Sequence, residues 1–322
     1  MSANYKRSNL TDKSRKVPNM NTEAEIDDIL PDAIESVNSI GLNLYENIDG
    51  ASNLFSPLAF SLQIGLIQLA KVKKIIPYVY DKDTLEEFKK ILKKVPDCRF
   101  NCELSYPSVN QALYDKLVNS MATVVDLNHR YMATTYLLEI KFRDPFYEID
   151  TVKMMFHQTD ELDFMHGFGS YMYFSGPKMR VLTMPLIDTD YDFIIILPKA
   201  YEQEDNLDYS INDVPYPPIG EIEEYINNAA PTDMEVFIPK FRRDNDLDLT
   251  IAAEKIDLRM GFNINHNTTL IVSDETSSLR KSSDLKEKIK QPSITFKANH
   301  VFVYIIRHNK SGIFVIYGDF QG

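Results

Sequence analysis

Tryptophan is absent from this 322-residue chain, and cysteine occurs only twice, as Cys98 and Cys102. Two thiols cannot build the disulfide framework of a small secreted scaffold, and one Cys-x3-Cys pair is half of a structural zinc site. The simplest reading is two reduced thiols, one of them packed in the core. No uncharged apolar run reaches the length of about 18 residues that would span a bilayer. Positive charge is also short: Lys+Arg total 35 against 47 Asp+Glu, a formal net charge of -12. A nucleic-acid partner is therefore not expected, because surfaces that track phosphates carry net positive charge. The opening MSANYKRSNLTDKSRKV has basic residues with no apolar stretch behind them, so it does not read as a secretory signal. What is present is 44% hydrophobic and 25% charged residues, the balance of an ordinary globular protein. The expectation is a cytoplasmic protein without a membrane partner.

Residues 1–22 are polar and lack apolar periodicity, which predicts a disordered arm. From Glu23 to Ile48, apolar residues recur at three- and four-residue steps, predicting an amphipathic helix bent near Pro31. Asn53–Ser56 reads as a short strand, and the apolar run after Pro57 as a buried helix with proline in its first turn. A third helix follows from Lys82, with Asp83 or Thr84 as its cap. Beyond Leu117 the period shortens to that of strands, in runs near 117–126, 132–142, 170–175, 179–187, 191–198, 234–241, 268–273, 301–308 and 312–318. Two helices, at 219–229 and 248–262, interrupt them. Helices first and strands later predict an α+β fold with largely antiparallel sheets, as a single domain over residues 23–322.

Catalytic motifs are scarce. Neither a phosphate loop ending in Lys-Ser/Thr nor a Gly-x-Ser-x-Gly elbow occurs. Gly167-Phe-Gly169 lacks the third glycine of a dinucleotide fingerprint and reads as a bend between strands. The stretch from His157 to His166, with Asp160, Glu161 and Asp163, fits neither one helical face nor one strand face. A solvated loop is expected there rather than a metal site. His129, His266, His300 and His308 are scattered and have no nucleophile elbow to serve. No catalytic residue, metal or cofactor is expected.

Several motifs, taken in order, resemble the serpin family. They are Asn53-Leu-Phe-Ser-Pro57, Phe142-Arg-Asp-Pro-Phe146, Val181-Leu-Thr-Met-Pro-Leu186 and Met234-Glu-Val-Phe-Ile-Pro-Lys-Phe241. They continue with His266-Asn-Thr-Thr-Leu-Ile-Val-Ser-Asp-Glu275, and then Phe296-Lys-Ala-Asn-His-Val-Phe302 with Gly312-Ile-Phe-Val-Ile-Tyr-Gly318. The likeness covers most of residues 24–320. It implies a serpin fold in which an exposed loop, here 276–296, is offered to a protease and inserts after cleavage into the central sheet. On the spacing common in inhibitory members, the scissile bond would lie at Lys290-Gln291, suited to a trypsin-like serine protease or a cysteine protease.

The hinge departs from that pattern. Thr276 stands where glycine is expected. An inserting strand would turn Ser277, Leu279, Lys281, Ser283, Leu285 and Glu287 inward. Burying unpaired Lys281 and Glu287 would cost several kcal/mol. In the shutter the resemblance places Ser56 and His266 at family positions, with Thr134 where asparagine is expected. The block of helix, edge strand and helix that covers the family's central sheet is expected to be missing, since only Leu127–Tyr131 separates the 117–126 strand from the next. The residues thus favour a truncated, non-inhibitory serpin-like protein, whose Lys/Ile/Asn/Asp-rich composition and pruned architecture resemble those of serpin-like proteins of large DNA viruses such as poxviruses. Its partner would be another protein, or a second copy, on an uncovered apolar sheet face. The competing reading is a working suicide inhibitor of a host protease.

Overall fold

The computed structural model describes residues 31–48, 53–69, 80–95, 98–105, 123–124, 131–157, 160–199, 219–258, 263–275 and 294–322. The expected arm at 1–22 lies outside them. Helix α1 (Pro31–Tyr45) buries Ala33, Val37, Leu42, Leu44 and Tyr45 along one stripe. Pro31 is its first residue rather than the site of a bend, as suits a residue without an N–H to lose there. Helix α2 (Pro57–Leu69) is apolar nearly all round because it lies between the two sheets, close to strand Phe314–Phe320 of one and strand Tyr131–Ile140 of the other. Helix α3 (Lys82–Lys94) buries Leu85, Phe88, Ile91 and Leu92 and is capped by Asp81, whose carboxylate accepts the Thr84 N–H at 2.8 Å. The cap thus falls two residues before the expected Asp83. Helices α4 (Ile219–Asn227) and α5 (Thr250–Lys255) follow; α5 is much shorter than the expected 248–262.

The central sheet has five strands in the order β10 (Phe241–Asp248), β11 (Asn263–Val272), β4 (Tyr131–Ile140), β2 (Cys98–Ser105) and β3 (Thr123–Val124). β11 and β4 run parallel, and β10 and β2 lie antiparallel on either side of them. The strand beside β4 is therefore 98–105, not 117–126. Cys98, Phe100, Cys102 and Leu104 alternate there with Arg99, Asn101, Glu103 and Ser105, the period of a half-buried strand. Of the expected strand 117–126, Thr123–Val124 lies among the described residues and pairs parallel to β2 at the edge, so part of the edge strand is kept. Six residues, 125–130, separate β3 from β4, too few for a covering helix and its connections.

The second sheet has nine strands: β1 (Leu54–Phe55), β14 (Phe314–Phe320), β13 (Phe302–His308), β8 (Tyr191–Pro198), β7 (Met179–Pro185), β6 (Asp160–Ser175), β9 (Ala230–Pro239) and β12 (Ile294–Lys297), with β5 (Val152–Phe156) on β6. Every residue of β14 is buried, because helices cover one face and the central sheet the other. Phe241 of β10 meets Phe302, Tyr304 and Phe320 at that junction. β6 corrects two expectations. The charged stretch before His166 is strand from Asp160, and Gly167 and Gly169 lie inside it, paired with Val236 and Met234. A Cβ at Gly167 would come within 2.9 Å of the Phe146 ring, and one at Gly169 within 2.5 Å of Tyr171. These glycines make room for aromatic rings crossing the strand rather than for a bend.

Candidate functional site: the seam of the central sheet

β4 and β11 meet along ten consecutive residue pairs, from Asn263–Tyr131 to Val272–Ile140. No strand lies between them. The inward row of this seam holds Thr134, Tyr136 and Leu138 from β4 and Ile264, His266, Thr268 and Leu270 from β11, all buried.

Of the three shutter positions, Ser56 and His266 are joined directly and Thr134 lies beside them. Ser56 is the N-cap of α2: its hydroxyl accepts the Ala59 N–H at 3.1 Å and donates to the Val315 carbonyl at 2.6 Å. The Ser56 backbone N–H donates to His266 Nε2 at 3.0 Å. That bond requires a bare Nε2 and places the ring proton on Nδ1. Burial in this apolar layer pushes the His266 pKa down to about 3, so the ring is neutral. Thr134 is the register partner of His266, yet neither Thr134 Oγ1 nor His266 Nδ1 has a hydrogen-bond partner among the described residues. Cys102, across from Thr134, is buried and its thiol is pushed up to about 12 by desolvation, which leaves it unreactive.

The end of the seam is clamped by pairings that no motif flagged. The Glu275 N–H donates to the Phe146 carbonyl at 2.9 Å, and the Glu148 N–H donates to the Glu275 carbonyl at 3.3 Å. Asp274 pairs with Lys240 at 2.5 Å and accepts the Thr151 hydroxyl at 2.6 Å. Phe146 and Lys240 both sit in recognisable motifs, but their partners lie more than 30 residues away, and pairings at that range leave no local signal. The expected hinge residues Thr276, Ser277, Leu279 and Lys281, and the bait pair Lys290 and Gln291, lie outside the described residues.

The outward face of the sheet is polar, which overturns the expectation of a bare apolar surface. Asp246, Asn267, Thr135 and Asn101 form one row across four strands, and Asp248, Asn265, Ala133 and Glu103 form another. A cleft of about 190 Å³ lined by Thr135, Asp244, Asp246, Asn267 and Thr269 opens on it. Strand alternation puts these side chains outward, so losing a cover exposes hydrogen-bonding groups instead of core.

The histidines of the charged stretch serve different neighbours. His157 accepts the Val301 N–H, while His166 pairs with Glu235 at 2.9 Å and stacks on Phe237. Among the described residues no group of three or more His, Cys, Asp or Glu is placed to hold a metal, and no helix is long and apolar enough to cross a membrane.

The seam, the loop that leaves it at Glu275 and the strand that receives it can be set beside known proteins. The family model described as serpin (serine protease inhibitor) matches residues 108–321. An uncharacterized serpin-like protein of Acanthamoeba polyphaga mimivirus is 26% identical, over 89% of this chain and 89% of that one. The leukocyte elastase inhibitor of Xenopus tropicalis is 24% identical, over 89% of this chain and 78% of that one. In structure, native protease nexin-1 with heparin superposes with a TM-score of 0.70 at 13% identity, covering 91% of this chain and all (100%) of that one. A tumour suppressing serpin gives 0.66 at 12% identity, with 91% and 100% covered. The ordered motifs, the two-sheet architecture and the extent of the family match together show that this chain belongs to the serpin family.

Proposed function

We propose that this serpin has given up protease trapping and acts as a protein-binding module with no catalysis of its own. The carrying observation is the chemistry of the seam that a loop would have to enter. Its inward row is Thr134, Tyr136, Leu138, His266, Thr268 and Leu270, all buried and none of them anionic. Lys281, at an inward position of an inserted loop, would meet no countercharge in that row, and an unpaired buried ammonium costs several kcal/mol. Insertion would also part ten residue pairs of the β4–β11 ladder. The clamp at Asp274 and Glu275 supports the same reading, since the chain would have to leave it before turning inward.

A partner at the outward face of the central sheet would be recognised by hydrogen bonds to Asp246, Asn267, Thr135 and Asn101 rather than by apolar contact. Permanent self-association through that face is therefore disfavoured. The likeness to a mimivirus protein supports a viral origin, with the host cytoplasm as the place of action. The second reading, inhibition of a trypsin-like serine or cysteine protease at Lys290-Gln291, is favoured by the relative named leukocyte elastase inhibitor.

Nicking the loop with trypsin separates the two. The binding-module reading expects no rise in Tm after the cut and no denaturant-resistant complex with the protease. A large rise in Tm together with such a complex would establish the inhibitor and overturn the proposal.

A further inference from the structure

Two histidines outside the seam meet where β12 runs into β13. His157 turns the chain from β5 toward β6 at φ +50°, in the left-handed region that non-glycine residues seldom occupy. Its backbone N–H donates to the Asn299 carbonyl at 2.9 Å, and its ring Nε2 accepts the Val301 N–H at 3.1 Å. His300 uses its ring the other way. Its Nε2 donates to the Pro198 carbonyl at the end of β8, at 2.9 Å. The ring centroids are 6.4 Å apart. With the Ala298 N–H bonded to the Phe237 carbonyl at 2.9 Å, the junction 298–301 is tied to the β5–β6 turn, to β8 and to β9.

Only the His157 bond is tied to one state of charge, since His300 Nε2 donates to the Pro198 carbonyl whether its ring is neutral or protonated. His157 Nε2 accepts only while it is bare, and a proton there would set an N–H against the Val301 N–H. The charged groups facing the pair are Asp160, toward His157, and Arg180, toward His300; Asn299, Val301 and the Pro198 carbonyl add none. Burial lowers the His157 pKa against the pull of Asp160, and burial brings His300 to about 4. The strand before the junction keeps its own anchors: Phe296 and Ala298 are fully buried, and Lys297 lies over the Phe237 ring. β12 pairs with β9 through four residues at the end of the nine-stranded sheet, aided by Thr295 on Glu235 at 3.3 Å.

We propose that His157 is an acid-released latch, which holds the β12–β13 junction through the Val301 N–H while its ring is neutral and loosens that junction on proton uptake, with His300 as its charge-indifferent anchor on β8. The latch is independent of whether the loop inserts. The sign follows from a folded pKa below the unfolded one: the latch is closed above pH 6.5, the ordinary histidine value, and loosens as pH falls through the folded pKa.

Amide hydrogen exchange on the full chain, corrected for the intrinsic pH dependence, tests this. Protection of the Val301 amide should fall by about tenfold per pH unit below the His157 pKa, while protection of 294–297 and 303–320 holds. His157→Gln, whose amide oxygen can accept the Val301 N–H without titrating, should abolish the fall. His166→Gln should leave it in place, because His166 bonds to Glu235 and not to the Val301 N–H. An equal fall in His157→Gln, or no fall in the parent down to pH 4, would overturn the proposal. A measurement on the unmodified protein needs no variant to fold: the Val301 amide resonance should track the imidazole titration of His157, and an amide indifferent to it would also refute the latch.

Discussion

Two buried hydroxyls of equal size should respond in opposite directions when removed. Ser56 Oγ accepts the Ala59 N–H at 3.1 Å and donates to the Val315 carbonyl at 2.6 Å. In Ser56→Ala the helix cap is lost, at about 1 kcal/mol. The buried Val315 carbonyl also loses its donor, at about 1–2 kcal/mol more. The expected destabilisation is about 2–3 kcal/mol. Thr134 Oγ1 is just as buried but has no partner among the described residues. Its desolvation is already spent, so Thr134→Val, which keeps the branched shape, should stabilise by about 1 kcal/mol. Urea unfolding reads both, provided the m-value stays constant so that the midpoint reports stability alone. A loss in Thr134→Val comparable to that in Ser56→Ala would show that the Thr134 hydroxyl is bonded and that the polar layer of the seam is satisfied. A cost below about 0.5 kcal/mol in Ser56→Ala would show that the cap contributes nothing.

Two further outcomes follow from the same packing. His266 is held neutral with its pKa at about 3 against an ordinary 6.5, so its contribution to stability is complete above pH 6.5 and declines as pH falls toward 3. The decline is about 1.4 kcal/mol per pH unit; His266→Gln should flatten the acid limb by that share, and an unchanged limb would mean the folded state already admits the proton. Gly169→Ala would put a Cβ 2.5 Å from the buried Tyr171 ring, at a cost of about 1–3 kcal/mol. Gly220→Ala on α4, with no atom near its Cβ position, should instead gain about 0.5–1 kcal/mol. Equal Tm values for these two variants would refute the steric account.

Much of this is legible in the residues. The alternation in Asn263–Val272 places His266, Thr268 and Leu270 on one face, and burial follows that pattern. The apolar runs near 301–308 and 312–318 become β13 and β14, buried on both faces. Misreadings arose where local composition and pairing disagree. Asp160–His166 carries four charged or titratable groups, a composition that suits a loop, but β5 and β9 supply backbone partners on both sides. Cys98–Ser105 and Leu117–Asp126 both suit a strand, and only contact with β4 selects the first. The outward row Asn263, Asn265, Asn267 and Thr269 already spells a solvated face, although the loss of a covering helix suggested an apolar one.

By itself the sequence determined the family, the order of its parts and which side of each strand is apolar, because side-chain periodicity is local and survives without contacts. The tertiary structure decided which strands are neighbours, that Asp274 answers Lys240, and that His157 answers Val301. Those choices rest on backbone hydrogen bonds and on charges far apart in the chain. A backbone N–H or carbonyl is the same for nearly every residue, so its partner is fixed only when the sheets assemble.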